Sequence, residues 1–170
     1  AKGYSVYQST QQQFSGNPVA PKTVHRLPQL LNMVFTAKEF INDDSYLAQE
    51  KRDGERRMVV TTSNGTMGLN KKGQEVPLPN RVVDSIDDEC TIDGEIIGDI
   101  LFAFDILELN GKDLEGEPCI ERISTLNTLK FGDGVKVVAT AYDTEAKQKL
   151  FDKLKREHRE GIVFKKKDAP

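Results

Sequence analysis

Short apolar runs of period two, separated by turn signals, fill most of this chain, and that pattern restricts it to hairpins packed with separate helices. Asn64-Gly65 stands between residues 57–62, rich in Val and Thr, and residues 67–69. That dipeptide favours the left-handed backbone of a tight turn, so two antiparallel strands are predicted on either side. Residues 90–97 and 100–107 form a second candidate pair, with Asp99 at the turn and Asn110-Gly111 closing the second strand. Residues 46–49, 135–141 and 161–165 read as further strands. The clearest helical period covers residues 145–158, where Ala146, Leu150 and Leu154 share a stripe with Phe151 beside it. Asp143 or Thr144 is its expected N-cap. Shorter helices are predicted at 37–41, 81–86 and 120–129. Another is expected over 27–35, where Leu27, Leu30, Leu31, Val34 and Phe35 recur at three- and four-residue spacing and Pro28 suits a first turn. Residues 1–24 are polar and read as a surface lead-in. The sum is an α+β domain.

The chain has 170 residues, enough to bury a core without staples. Lys plus Arg is 24 and Asp plus Glu is 27, a formal charge of -3. A partner that carries phosphate must therefore be met by a local basic patch, for which Lys51, Arg52, Arg56, Arg57, Lys71 and Lys72 are the candidates. Cys90 and Cys119 form neither a metal cluster nor a disulfide framework, which suits a reduced, intracellular protein. No apolar segment is long enough to span a membrane, and no signal-peptide pattern is read at the amino end.

Three segments carry chemistry. In Lys51-Arg52-Asp53-Gly54-Glu55-Arg56 a lysine ends a strand, Gly54 permits a tight turn or a close backbone approach to a ligand, and Asp53 can order nearby groups. A lysine so placed can act as a nucleophile once deprotonated, with the arginines holding phosphates. A charged, solvated turn is the plainer reading of the same residues. In the second segment Asp93 and Glu95 share one strand face, fit to hold a ribose hydroxyl and a metal ion. Phe102 and Phe104 share a face of the next strand and offer a flat surface for a base, with Asp105 pointing the other way. Ordinary core aromatics fit that pattern too. The third segment, Glu160-Gly161-Ile162-Val163-Phe164-Lys165, follows a helix and enters a strand. Its lysine run Lys165-Lys166-Lys167 also reads as a solvated edge.

In this order the segments resemble the nucleotidyltransferase domain of the covalent nucleotidyltransferases, the polynucleotide ligases and messenger RNA capping enzymes. Lys51 to Arg56 matches the K-x-D-G-x-R motif, Asp93-Gly94-Glu95 the next, Phe102 to Leu107 with Asn110-Gly111 the third, and Glu160 to Lys165 the fourth. The pattern from Phe104 through Leu114 and Glu121-Arg122 is most similar to ATP-dependent DNA ligases. The resemblance implies an ATP-grasp-like α+β fold of two antiparallel β-sheets flanked by helices around a nucleotide cleft. It implies that Lys51 attacks ATP and carries AMP, which passes to a 5′-phosphate before a 3′-hydroxyl seals the nick. Arg56 is expected on the ribose or phosphate, Glu95 on the ribose hydroxyls, and Phe104 on adenine with Phe102 as second choice. Glu50, with Gln49, is expected near the adenine edge, and Lys165 on phosphate. Glu160, Glu95 and Asp105 are expected to serve Mg²⁺, and Asp53 to support the lysine loop.

The domain is expected over residues 25–170. The family's K-x-K lysine pair and oligonucleotide-binding (OB-fold) barrel are not found before Pro170, so the domain reads as truncated and the OB-fold domain as an expected partner on the same polypeptide. Nicked double-stranded DNA is the expected substrate, with no membrane partner. An RNA ligase or capping guanylyltransferase, and a nucleotide-binding fragment without catalysis, are the alternatives.

Overall fold

The computed structural model describes residues 5–10, 30–34 and 37–170. In chain order its elements are β1 (Ser5–Thr10), β2 (Leu30–Val34), α1 (Lys38–Ile41), β3 (Tyr46–Lys51), β4 (Glu55–Thr62), β5 (Gly65–Leu69), β6 (Glu75–Val76) and α2 (Asn80–Val83). They continue with β7 (Cys90–Ile97), β8 (Ile100–Leu109), β9 (Lys112–Asp113), α3 (Cys119–Thr128), β10 (Val135–Val137), β11 (Thr140–Ala141), α4 (Thr144–Arg156) and β12 (Gly161–Lys166). Among the described residues the strands form two sheets. One runs β11-β3-β12-β1-β2, the other β10-β8-β7-β4-β5-β6 with β9 beside β8. Pairing is antiparallel except β1 with β12 and β10 with β8.

Each sheet packs one face on a core shared with helices. Val6, Ala48, Ile162 and Phe164 of the first sheet pack with Ile41 of α1 and Leu154 of α4. Val59, Ile92, Leu101, Ala103 and Ile106 of the second sheet pack with Val82 of α2 and Leu126 of α3. Helix α3 also reaches the first sheet, where Cys119 and Ile123 bury Leu47. Alternation then turns Gln49 and Lys51 away from the α4 core, to the same side as Leu47.

Two expectations are corrected. Residues 30–34 form a strand paired with β1, not part of a helix. A short apolar run fits either period, and its pairing with residues 5–10 is non-local. Leu27, Pro28 and Phe35 lie outside the described residues, as do most of residues 1–24, although Ser5–Thr10 is the strand β1. The single strand expected at 135–141 is two: β10 joins the second sheet and β11 the first, so the chain crosses between sheets there. The Val138 amide, in the crossing, donates to the Ala103 carbonyl at 2.8 Å.

Asp143 is the cap of α4, its Oδ1 accepting from the Ala146 amide at 2.7 Å. Lys147, on the first turn of the same helix, is wholly buried. Its ammonium donates to the carbonyls of Phe40, Asp43 and Tyr46 at 2.9, 2.7 and 2.9 Å. That uses its three protons and ties the turn before β3 to α4. Burial pushes its pKa down. Among the described residues no helix is long and apolar enough to cross a membrane.

Candidate active site

Lys51 is the last residue of β3, and Gly161 lies opposite it on β12. The chain then turns through Gly54 against β7. A Cβ on Gly54 would stand 2.5 Å from the Ile96 carbonyl oxygen, so a side chain there is excluded by backbone contact. The Lys51 amine meets the carboxylate of Glu160, which lies just before β12. On another side it stands 4.9 Å from the centroid of the Tyr7 ring. The second oxygen of Glu160, Oε2, is buried with no hydrogen-bond partner.

The second sheet supplies the facing wall. Arg56 of β4 donates from Nε and Nη2 to the two oxygens of Asp93 on β7, each at 2.7 Å. Burial opposes the guanidinium's charge, but Asp93 outweighs it and the pKa is raised. Glu95 stands opposite Arg56 in the pairing. Burial pushes the Glu95 carboxyl up to about 7, and the charges of Asp93 and Glu160 add to the shift while Arg56 and Lys51 oppose it. The Arg56 guanidinium lies 4.7 Å and the Lys165 ammonium 4.5 Å from the centre of the Phe104 ring. Arg52 lies 4.2 Å from the centre of Phe102. Lys165 is buried, and that burial lowers its pKa, with Asp105 acting against it.

Gln49 joins the two sheets. Its Nε2 donates to the Phe104 carbonyl at 3.3 Å and to Thr140 Oγ1 at 2.9 Å. Its own oxygen, Oε1, is buried without a partner, an acceptor left open beside Phe104. An open cleft of about 470 Å³ adjoins Arg56 and Glu95, with Arg57, Asn70, Lys71 and Lys72 on its rim. Asn70 shapes that rim: its Oδ1 accepts the amides of Lys72 and Gln74 at 2.9 and 3.0 Å.

The expected residues divide. Lys51, Arg56, Glu95, Phe104, Glu160 and Lys165 come together between the sheets. Glu50 does not join them: it alternates to the other face of β3, where Arg52 and Arg159 hold its carboxylate at 3.4 and 3.7 Å. Asp53 is exposed on the turn and orders no neighbour among the described residues. Asp105 faces α3 and is buried against Arg122, which donates to its two oxygens at 3.0 and 3.1 Å. Those oxygens are committed to a cation already, so they do not suit a metal ligand. Asp93, read as a ligand for ribose or metal, is bound to Arg56 instead. Tyr7 and Arg122 were missed. Arg122 sat on a helix stripe with no sign of its partner, and Tyr7 fell in a polar stretch whose strand pairing is non-local.

The donor set bears on a divalent cation in two ways. The orphaned Glu160 Oε2 is a buried oxygen that seeks a positive partner. Yet among the described residues no three His, Cys, Asp or Glu side chains are grouped as a metal cage. This suits Mg²⁺, which takes one or two carboxylates together with phosphate and water oxygens.

Residues 99–170 match the family model described as the ATP dependent DNA ligase domain. Lys51, Arg56 and Glu95 precede that span, while Phe104, Glu160 and Lys165 lie inside it. A probable DNA ligase of Dictyoglomus turgidum is 40% identical over 74 residues, 41% of this chain and 12% of the relative. The SPbeta prophage-derived DNA ligase-like protein LigB of Bacillus subtilis is 25% identical over 176 residues, 84% of this chain and 61% of the relative. The chain thus spans less than two thirds of either relative. Among solved structures, the ligase domain of M. tuberculosis LigD aligns with a TM-score of 0.61 at 20% identity, over 73% of this chain and 48% of that one. A mycobacterial DNA ligase D complexed with ATP and MES aligns with a TM-score of 0.58 at 20% identity, covering 73% and 49%. A Lig E DNA ligase gives 0.58 at 18% identity, covering 75% and 57%. At these identities the structural likeness establishes the fold.

Proposed function

We propose that this chain is the nucleotidyltransferase domain of an ATP-dependent DNA ligase, and that Lys51 accepts AMP from ATP for transfer to a nicked DNA end. The observation that carries this reading is the Lys51 amine against Glu160, with the charges of both acting on Glu95 and with Arg56 over the Phe104 ring. Nζ of Lys51, having lost a proton, attacks the α-phosphorus of ATP. A nitrogen–phosphorus bond forms as the bond to the bridging oxygen breaks, and pyrophosphate leaves with that electron pair. Splitting the strand-joining reaction through such an adduct replaces one hard displacement with easier ones.

Phe104 stacks on the adenine, and the open Gln49 oxygen suits the amino group on the purine edge. Guanine carries a carbonyl at that position and would set two acceptors against each other. This favours ATP over GTP as donor, because a buried polar group left unpaired discriminates strongly. Glu95 takes the ribose hydroxyls, and Arg56 and Lys165 meet phosphate charge. Glu160, through its orphaned oxygen, and Glu95 would hold Mg²⁺, which when bound supplies positive charge to the phosphate oxygens. Arg57, Lys71 and Lys72 on the cleft rim suit the phosphates of a nicked duplex.

Intact mass after incubation with ATP and Mg²⁺ tests the reading. One added AMP is expected, and none in Lys51→Ala. Labelling by GTP in place of ATP would favour a guanylyltransferase. Saturable ATP binding with no covalent adduct would identify a nucleotide-binding fragment instead.

A further inference from the structure

We infer that Tyr7 is a positioning residue for the Lys51 amine, its ring holding one side of the amine while Glu160 holds another. The inference rests on Lys51 being the residue that takes the nucleotide.

The register brings the two side chains together. Strand β12 lies between β1 and β3, with Tyr7 beside Val163 and Gln49 beside Val163 from the other side. Paired residues share a sheet face, so Tyr7, Val163, Gln49 and Lys51 look the same way, toward the second sheet. Between Tyr7 and Lys51 the intervening position on β12 is Gly161, opposite Lys51. With no side chain there, the phenol ring and the amine meet across the strand, 4.9 Å from nitrogen to ring centroid.

An ammonium has three N–H bonds. The Tyr7 face attracts one through its quadrupole and the Glu160 carboxylate accepts another. Before it attacks, the ammonium passes one proton to water, which reaches its partly exposed side chain, and the lone pair it then carries is held between these two contacts. A lysine otherwise ranges over many rotamers, so two fixed walls narrow the search for an in-line approach. Glu160 alone would not do this, because one contact leaves the amine free to swing about it.

The test compares the native chain with Tyr7→Phe and Tyr7→Leu. Single-turnover adenylylation at saturating ATP should fall roughly tenfold in Tyr7→Leu, because the amine loses one of the two contacts that orient it. Tyr7→Phe keeps the ring and should retain the native rate, and KM for ATP should be unchanged in both. A second readout needs no nucleotide. The rate at which a small acylating reagent labels Lys51, read by peptide mass, should rise in Tyr7→Leu but not in Tyr7→Phe, with exposed Lys71 and Lys72 as internal standards. Equal Lys51 labelling in all three proteins, or a Tyr7→Phe rate as low as that of Tyr7→Leu, overturns the inference while leaving the lysine's own role intact. Absence of any Lys51 adduct in the native chain overturns both readings.

Discussion

Replacing Glu95 with Gln should remove a pH dependence of stability that the native protein carries between pH 4.5 and about 7. The Glu95 carboxyl rises from its ordinary 4.5 to about 7, first because it is buried, then because Asp93 on its own strand and Glu160 by the first sheet repel its charge. Arg56 and Lys51 oppose the shift without cancelling it. Across that window the folded protein holds a proton that the unfolded chain has lost. Stability is therefore fullest below pH 4.5 and declines as pH rises through the folded value. A shift of roughly 2.5 pH units corresponds to about 3 kcal/mol, an upper bound because Glu95 is partly exposed and solvent screens it. Gln does not titrate. Urea unfolding at steps from about pH 5 to about pH 8 should thus show the native protein losing up to about 3 kcal/mol relative to Glu95→Gln. The variant should be the more stable protein above neutrality. Parallel profiles for the two proteins would refute the argument, since they would mean that the carboxyl ionises alike in the folded and unfolded chain.

Two further outcomes separate structural cations from chemical ones. Asp105→Ala should cost roughly 3–5 kcal/mol in urea unfolding, because it strands the buried Arg122 guanidinium without its partner; the concentration of Mg²⁺ giving half-maximal adenylylation should stay unchanged, and a marked rise would restore Asp105 as a metal ligand. Lys147→Met should cost on the order of 3 kcal/mol by leaving the Phe40, Asp43 and Tyr46 carbonyls without their donor; an unfolding midpoint equal to that of the native chain would show that water replaces the ammonium.

What could be read from the sequence was local. β7 spans the predicted residues 90–97, and the Asn64-Gly65 hairpin lies between β4 and β5, because period two and turn chemistry are written in neighbouring residues. Gly54 reads as a tight turn or a close approach to a ligand, and its close neighbour is the Ile96 backbone of the adjoining strand instead. What escaped was pairing over distance. Nothing near Tyr7 indicates that its strand lies beside β12, and residues 135–141 carry one β-rich run whose break between sheets is set by neighbours on each side. Asp93 reads as a ligand group because an acidic residue on a strand face shows no partner, and Asp105 reads as one only through the resemblance. Arg56 and Arg122 supply those partners from other elements. Alternation did separate Phe104 from Asp105 correctly, but it could not say that the second face was dry and already neutralised.

The groups proposed to meet the nucleotide sit on two sheets that share no strand, so their spacing depends on the ties between the sheets. Three are visible. The crossing at 138 bonds to Ala103, one residue before Phe104, and continues into β11 beside Gln49. Gln49 itself bonds to the Phe104 carbonyl. Helix α3 buries Leu47 with one set of residues while Leu126 packs in the core of the second sheet, and Arg122 fixes the same helix to Asp105. Each tie lies within two positions of Phe104 or within four of Lys51. A strand end is the softest part of a sheet, and these contacts stiffen the last turn of β3 where the amine must be aimed. The buried ion pair at Asp105 then has a clear use without touching substrate. Its removal should loosen the distance between the lysine and the aromatic ring, so any loss of rate it causes belongs to alignment of the two walls and not to the charge that was removed.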